Sequence, residues 1–142
     1  MRHGILIILL LTSCSPKETR KKIILIDSGI NVSSRINPFL CKYGHKSFIE
    51  GSSWNEDRHG HGSLMAEVII QKLDLKEHCI VIVKAAEKGI GSSIKANAYA
   101  SALRYLASLD FNIILLALED VSYFYKEPVF VPSSLTNLAF TL

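Results

Sequence analysis

Residues 23–29 read Ile-Ile-Leu-Ile-Asp-Ser-Gly, and this stretch decides the fold that we expect. Four consecutive branched apolar residues without polar alternation are typical of a parallel strand that is covered on both faces. Two similar apolar runs occupy residues 80–83 and 112–118. The Asp-Ser-Gly that ends the first run indicates a turn away from the strand, because these residues favour turn conformations.

Two segments between the apolar runs have the spacing of amphipathic helices. The apolar residues of the first are Met65, Val68, Ile69 and Leu73. The second follows Ser93, a suitable N-cap, and its apolar face comprises Ile94, Ala98, Ala102, Tyr105, Leu106 and Leu109. A short strand is also expected within residues 46–49. This order of elements predicts an α/β fold, with an open, mainly parallel sheet and flanking helices.

Composition narrows the possible partners. The 142 residues suit one domain, and 49% of them are hydrophobic, which is enough for a buried core. The net charge is only +3, and much of the positive charge lies at Lys17, Arg20, Lys21 and Lys22. Because no basic segment alternates with aromatic residues, we expect no nucleic-acid partner. No cofactor is expected either.

The N-terminus predicts an export signal. Arg2 precedes an apolar run at residues 5–11 that is too short to span a bilayer as a mature helix. Residues 11–14 read Leu-Thr-Ser-Cys, which resembles the lipobox of bacterial lipoproteins. The resemblance implies that residues 1–13 are removed and that Cys14 carries a lipid. The protein would then be exported and anchored to a membrane, in the periplasm or at the cell surface. The alternative is an ordinary signal peptide followed by a chance cysteine.

Residues 14–22 are polar and basic, and we expect them to form a solvated tether to a domain at residues 23–142. Of the three cysteines, Cys41 and Cys79 remain within that domain. An exported protein can oxidise such a pair. Sequence spacing leaves open whether the two sulfurs come close enough to bond.

Two residues have the chemistry of an acid–base pair. Asp27 lies at the carboxyl end of its predicted strand, where a carboxylate can orient an imidazole and stabilise its charged form. His61 lies between Gly60 and Gly62 at the start of the first predicted helix, so neighbouring side chains do not shield its ring. A general base needs a fixed ring with one open side. The alternatives are a turn-forming aspartate and a flexible Gly-His loop.

Together these segments resemble the subtilisin-like serine peptidases, or subtilases. Asp-Ser-Gly at residues 27–29 matches the family's aspartate motif, Asp-Ser/Thr-Gly. Gly-His-Gly-Ser-x-x-Ala at residues 60–66 matches its histidine motif, His-Gly-Thr-x-x-Ala, with Ser in place of Thr. Asp57 matches the acid often found shortly before that histidine. The order of Asp before His also agrees with subtilisin.

The resemblance covers about residues 22–120 and implies a partial subtilisin-like fold. It implies that Asp27 orients a catalytic His61. It also implies that a loop carrying Gly89, Gly91 and Ser92 flanks a polypeptide substrate, with no metal at the catalytic site.

The sequence departs from the family after His61. The nucleophile motif, Gly-Thr-Ser-x-x-Ala-Pro, is absent, although subtilisin places it about 150 residues beyond the histidine. The Asn-bearing segment of the oxyanion hole is absent too. Residues 117–119 read Ala-Leu-Glu where the family has Ser-Leu-Gly, and the late Ser133 and Ser134 lack the Gly-Thr context.

We therefore expect an endopeptidase domain that is truncated before its serine and is inactive as given. Either the reading frame is broken, or the chain is a descendant of a peptidase that has lost catalysis. A polypeptide substrate is expected only for an intact form.

Two other classes of function fit parts of the sequence. Asp57, His59 and His61 alternate along the chain, as ligands of a metal-binding module can. A non-catalytic surface lipoprotein, structural or adhesive, needs only the anchor at Cys14 and a stable α/β domain.

Overall fold

A computed structural model describes residues 18–87 and 96–116 of the chain. Its strands are β1 (Lys21–Asp27), β2 (Lys46–Ser47), β3 (His78–Lys84) and β4 (Ile113–Leu116). Its helices are α1 (His61–Ile70) and α2 (Ala96–Leu106), with a short 3-10 turn at Asn37–Phe39. The strands form one sheet in the order β2-β3-β1-β4, and every pairing is parallel. The predicted α/β fold with a mainly parallel sheet is confirmed.

Two of the three predicted apolar runs, residues 23–26 and 80–83, form the centre of this sheet, and the third forms the outer strand β4. All seven residues of β1 pair with β3, from Lys21 opposite His78 to Asp27 opposite Lys84. On its other side, β1 pairs with β4, so its backbone is bonded along both edges. Ile24, Leu25 and Ile26 are fully buried, because side chains cover both faces of the sheet at this strand. Covering on both faces explains why the run shows no alternation of polar and apolar residues.

The two helices cover opposite faces of the sheet. Successive side chains of a strand point to opposite faces, and two buried clusters follow that alternation. One cluster joins Ile24 and Ile26 to Ala102 and Leu106 of α2. The other joins the intervening Leu25 to residues of α1 and to alternate residues of β3. The pair of helices therefore encloses β1 and fixes the position of its carboxyl end.

One helix face differs from the expectation. The sequence predicted Val68 on the buried face of α1, but Val68 is 50% exposed. The buried residues of α1 are Gly62, Ala66 and Ile70, spaced four residues apart. These include the two smallest side chains of the helix, which allow its backbone to come close to the sheet. Their close approach rotates Val68 outward.

The start of the domain also differs. Residues 14–22 were expected to be a solvated tether, yet β1 begins at Lys21. Arg20 is anchored as well, because its guanidinium donates to the carbonyls of Pro38 and Leu40 and pairs with Glu18. The last residues of the expected tether are thus part of the folded domain, since they satisfy backbone carbonyls of the neighbouring loop. The N-cap expected at Ser93 lies outside the described residues.

A disulfide bond joins Cys41 and Cys79, which answers the question that the spacing left open. Both cysteines are buried. Cys79 belongs to β3, and the backbone of Cys41 donates to the carbonyl of Ile80. The bond fastens the loop that follows the 3-10 turn to a central strand.

Candidate active site

Asp27 is the last residue of β1, and hydrogen bonds fix the backbone at and just after this residue. Its carbonyl accepts a hydrogen bond of 3.0 Å from the amide of Ala85, just beyond β3. Its Oδ1 accepts one of 2.6 Å from the amide of Ser28. Because the strand and the turn are both fixed, the carboxylate has a defined position at the carboxyl edge of the sheet.

His61 is the first residue of α1, and its ring meets that carboxylate. The Nδ1 atom lies 3.0 Å from each carboxylate oxygen of Asp27. The Asp27 side chain is only 3% exposed, whereas that of His61 is 27% exposed. The acid is therefore shielded from water while the imidazole reaches the surface. Burial raises the pKa of Asp27 above its ordinary value, against the opposing effect of hydrogen bonds from His61 and Ser28.

Glycines allow the two segments to approach so closely. A Cβ on Gly62 would overlap the carbonyl oxygen of Gly29 and would lie 3.2 Å from the Cβ of Asp27. Gly29 itself has φ +96°, and a Cβ there would lie 2.7 Å from the carbonyl oxygen of Glu56. Both positions need glycine, one for space and the other for space and backbone conformation. The Ser-Gly and His-Gly pairs of the sequence are thus in direct backbone contact.

Asp57 forms a second buried acidic group beside the pair. Its Oδ2 accepts from the amide and the hydroxyl of Ser63, at 2.8 and 2.6 Å. Its Oδ1 accepts from the hydroxyl of Ser28 at 2.8 Å and from the amides of His59 and Gly60. Burial opposes ionisation of Asp57, but these hydrogen bonds outweigh it, so its pKa lies below the ordinary value. This carboxylate belongs to the architecture of the site.

Lys84 is a further buried charge that the sequence did not reveal. It lies opposite Asp27 in the β1–β3 register and is fully buried. Its ammonium donates to Ser52 Oγ at 2.7 Å and to the carbonyl of Glu56 at 2.6 Å. Glu87 lies 3.7 Å away as a counter-charge. Lys84 therefore attaches the loop before Asp57 to the carboxyl end of β3. Its place at the end of an apolar run was the only available signal.

The remaining candidate positions fall into two groups. Gly89, Gly91, Ser92, Cys14, Ser133 and Ser134 lie outside the described residues. Within the parts that the structure describes, no three His, Cys, Asp or Glu side chains are grouped so as to hold a metal ion. The Asp57 carboxylate accepts hydrogen bonds from Ser28, His59, Gly60 and Ser63, as above. Cys41 and Cys79 are bonded to each other, and the ring of His45 bonds to the carbonyl of Cys41 and accepts the amide of Ile82.

Comparisons with known proteins add no relative. No protein-family model, curated protein or solved structure matches the chain. Within residues 18–87 and 96–116, no helix is long and apolar enough to cross a membrane. The interpretation of the site therefore depends on its geometry and chemistry.

Proposed function

We propose that this chain carries the acid–base half of a subtilisin-like serine endopeptidase site. The observation that carries the proposal is the contact between His61 Nδ1 and both carboxylate oxygens of Asp27. A buried carboxylate on one ring nitrogen, with the ring itself partly exposed, is the arrangement by which a histidine acts as general base. The two residues lie in the sequence motifs that resemble those of the subtilases.

The chemistry assigned to the pair is proton transfer. Asp27 holds the imidazole with its Nδ1–H toward the carboxylate, which leaves Nε2 as the basic atom. Nε2 would take the proton of a serine hydroxyl as the serine oxygen attacks a peptide carbonyl. The imidazolium would then return that proton to the departing amine when the peptide C–N bond breaks. Asp27 stays ionised and stabilises the imidazolium, an interaction that low exposure to water strengthens.

The 142-residue sequence contains no recognisable motif for the nucleophile. Members of a triad act as a unit, and in subtilisin the loss of the serine alone lowers kcat by about 10⁶-fold. We therefore propose that the 142-residue polypeptide is inactive by itself. Gly89, Gly91 and Ser92 are proposed to flank the backbone of a polypeptide substrate when a serine is supplied.

We also propose that the protein is exported and anchored through a lipid on Cys14. The Cys41–Cys79 disulfide supports this location, because such bonds persist in oxidising compartments and are rare in the cytosol.

Sequencing the gene beyond the codon for Leu142 tests the proposed function. We expect a Gly-Thr-Ser-x-x-Ala-Pro motif, in some reading frame, about 150 residues after His61. If a frame with that motif is joined to this chain, the product should react with a fluorophosphonate probe. His61→Ala should abolish the labelling, whereas the control His78→Ala, at the amino end of β3 and away from the pair, should retain it.

Absence of the motif from every frame over that distance would contradict the proposal. So would labelling of the 142-residue chain at Ser133 or Ser134, because neither residue belongs to the expected site.

A further inference from the structure

The helix that carries His61 lacks an ordinary cap. Its N-cap residue is Gly60, which has φ 85° and no side chain to accept a hydrogen bond from the first turn. Helices leave their first amides without intrahelical partners, and a Ser, Thr, Asp or Asn at the N-cap normally supplies one. His61, as the first helical residue, lies in the part of α1 that is most prone to fray.

Asp57 replaces the missing cap from three residues upstream. Its Oδ2 accepts the amide of Ser63, in the first turn of α1, and the hydroxyl of the same residue. Its Oδ1 accepts the amides of His59 and Gly60 at 3.1 and 2.8 Å. A carboxylate suits this role because both oxygens only accept, and its charge is favourable at the positive end of a helix.

The same carboxylate reaches the segment that carries Asp27. Ser28, the residue after Asp27, donates its hydroxyl to Asp57 Oδ1 at 2.8 Å. The same hydroxyl oxygen accepts the amide of Gly62, the residue after His61, at 3.1 Å. Asp57 and Ser28 therefore connect the neighbours of the two paired residues. Asn31 completes the network. Its backbone amide donates to Ser63 Oγ, and its side chain forms two hydrogen bonds with the backbone of Asp57.

From this network we infer that Asp57 is the positioning residue of the pair: it holds the first turn of α1 against the turn after β1 and thereby keeps His61 on Asp27. Asp57 is 5% exposed, and its carboxylate bonds to the residues that neighbour the pair, Ser28, Gly60 and Ser63, so it acts on the pair through the adjoining backbone. A role of Asp57 in catalysis rests on the proposed function, whereas its role in holding His61 on Asp27 does not.

The test is nitrogen NMR of the His61 side chain in the full chain, comparing Asp57→Asn with the native sequence. The side-chain NH2 of the asparagine would face backbone amides and hydroxyls that donate to the Asp57 carboxylate, so hydrogen bonds would be lost. We expect Asp57→Asn to keep native far-UV circular dichroism but to exchange the His61 Nδ1 proton about tenfold faster or more, with both tautomers populated. The control is Asp74→Asn, which changes another aspartate that accepts a backbone amide, in the loop after α1.

Two serine variants provide the test if Asp57→Asn does not fold. Ser63→Ala removes one hydroxyl donor to Asp57 and the acceptor of the Asn31 backbone amide. Ser28→Ala removes the other hydroxyl donor and the acceptor of the Gly62 amide. Each should accelerate exchange of the same proton by a smaller factor. An unchanged His61 signal in a folded Asp57→Asn protein, or in both serine variants, would overturn the inference and leave the proposed function intact. Absence of the Nδ1 contact in the native chain would instead contradict the proposed function.

Discussion

Gly62 and Gly29 touch backbone to backbone, so that a methyl group on Gly62 would overlap the Gly29 carbonyl oxygen. This contact joins the helix carrying His61 to the turn following Asp27. Because the obstacle is main chain, a side chain at position 62 cannot be accommodated by a change of rotamer. The space between the two segments is therefore a requirement of the site.

Gly62→Ala should accordingly destabilise the protein by about 3 kcal/mol or more, since it overpacks a contact with rigid backbone. The control is Gly51→Ala, at a residue with φ +69° and open space around its Cβ position. That change introduces only left-handed backbone strain, and we expect a loss of about 1–2 kcal/mol. Urea unfolding of the two variants measures the difference. Equal losses would show that the backbone contact is not tight.

Asp27→Asn should leave the free energy of unfolding at neutral pH unchanged or raise it. Burial raises the pKa of Asp27, so the folded state binds this proton more tightly than the unfolded chain does. Ionisation of Asp27 therefore reduces stability as the pH rises above the ordinary range of an aspartate, and a neutral amide avoids that loss. Asp27→Ala leaves the Ser28 amide unsatisfied and should lower stability by about 1–3 kcal/mol. A large loss of stability in Asp27→Asn would contradict the destabilising effect that we assign to ionisation of Asp27.

Reduction of the Cys41–Cys79 bond should destabilise the domain by about 2–5 kcal/mol, because the bond closes a long loop in the unfolded chain. Thermal unfolding with and without dithiothreitol measures the change. Thiol titration of the denatured protein should find two more thiols after reduction than before. An unreduced sample in which both cysteines react would show that the bond is absent.

Stability should fall between about pH 4.5 and pH 2 in part because of Glu18. A hydrogen bond from Arg20 lowers the pKa of Glu18 from 4.5 to about 2. A lowered carboxyl pKa stabilises the folded state above the unfolded value, and this contribution disappears as the pH falls through the folded value. Glu18→Gln should therefore flatten the acid limb of the stability curve. Glu77→Gln, at an exposed ion pair with Lys21, is the control and should leave that limb unchanged.

The sheet was predictable because a strand covered on both faces has a simple signature. Residues 23–26 and 80–83 are purely apolar, and both became central strands. The start of α1 at His61 also followed from the sequence. Its buried face did not, because the closest packing uses Gly62 and Ala66, whose small side chains carry little hydrophobic signal.

The supporting network of the site was not predictable for a different reason. Ser28, Ser63 and Asp57 are polar residues in loops and turns, where water satisfies such groups as readily as protein does. Only the parallel register, which brings β1 beside β3, and the contact with α1 give these side chains their partners. The burial of Lys84 was equally hidden, since lysine is almost never fully buried unless it is paired.

The pairing of Asp27 with His61 is tested most directly by nitrogen NMR of the His61 side chain in native protein and in Asp27→Asn. With neutral imidazole, the native chain should carry its proton on Nδ1, where Asp27 accepts it, and Nε2 should be unprotonated. In Asp27→Asn the proton should move to Nε2, since the amide can donate to Nδ1. A native His61 protonated mainly on Nε2, or the same spectrum in both proteins, would contradict the account.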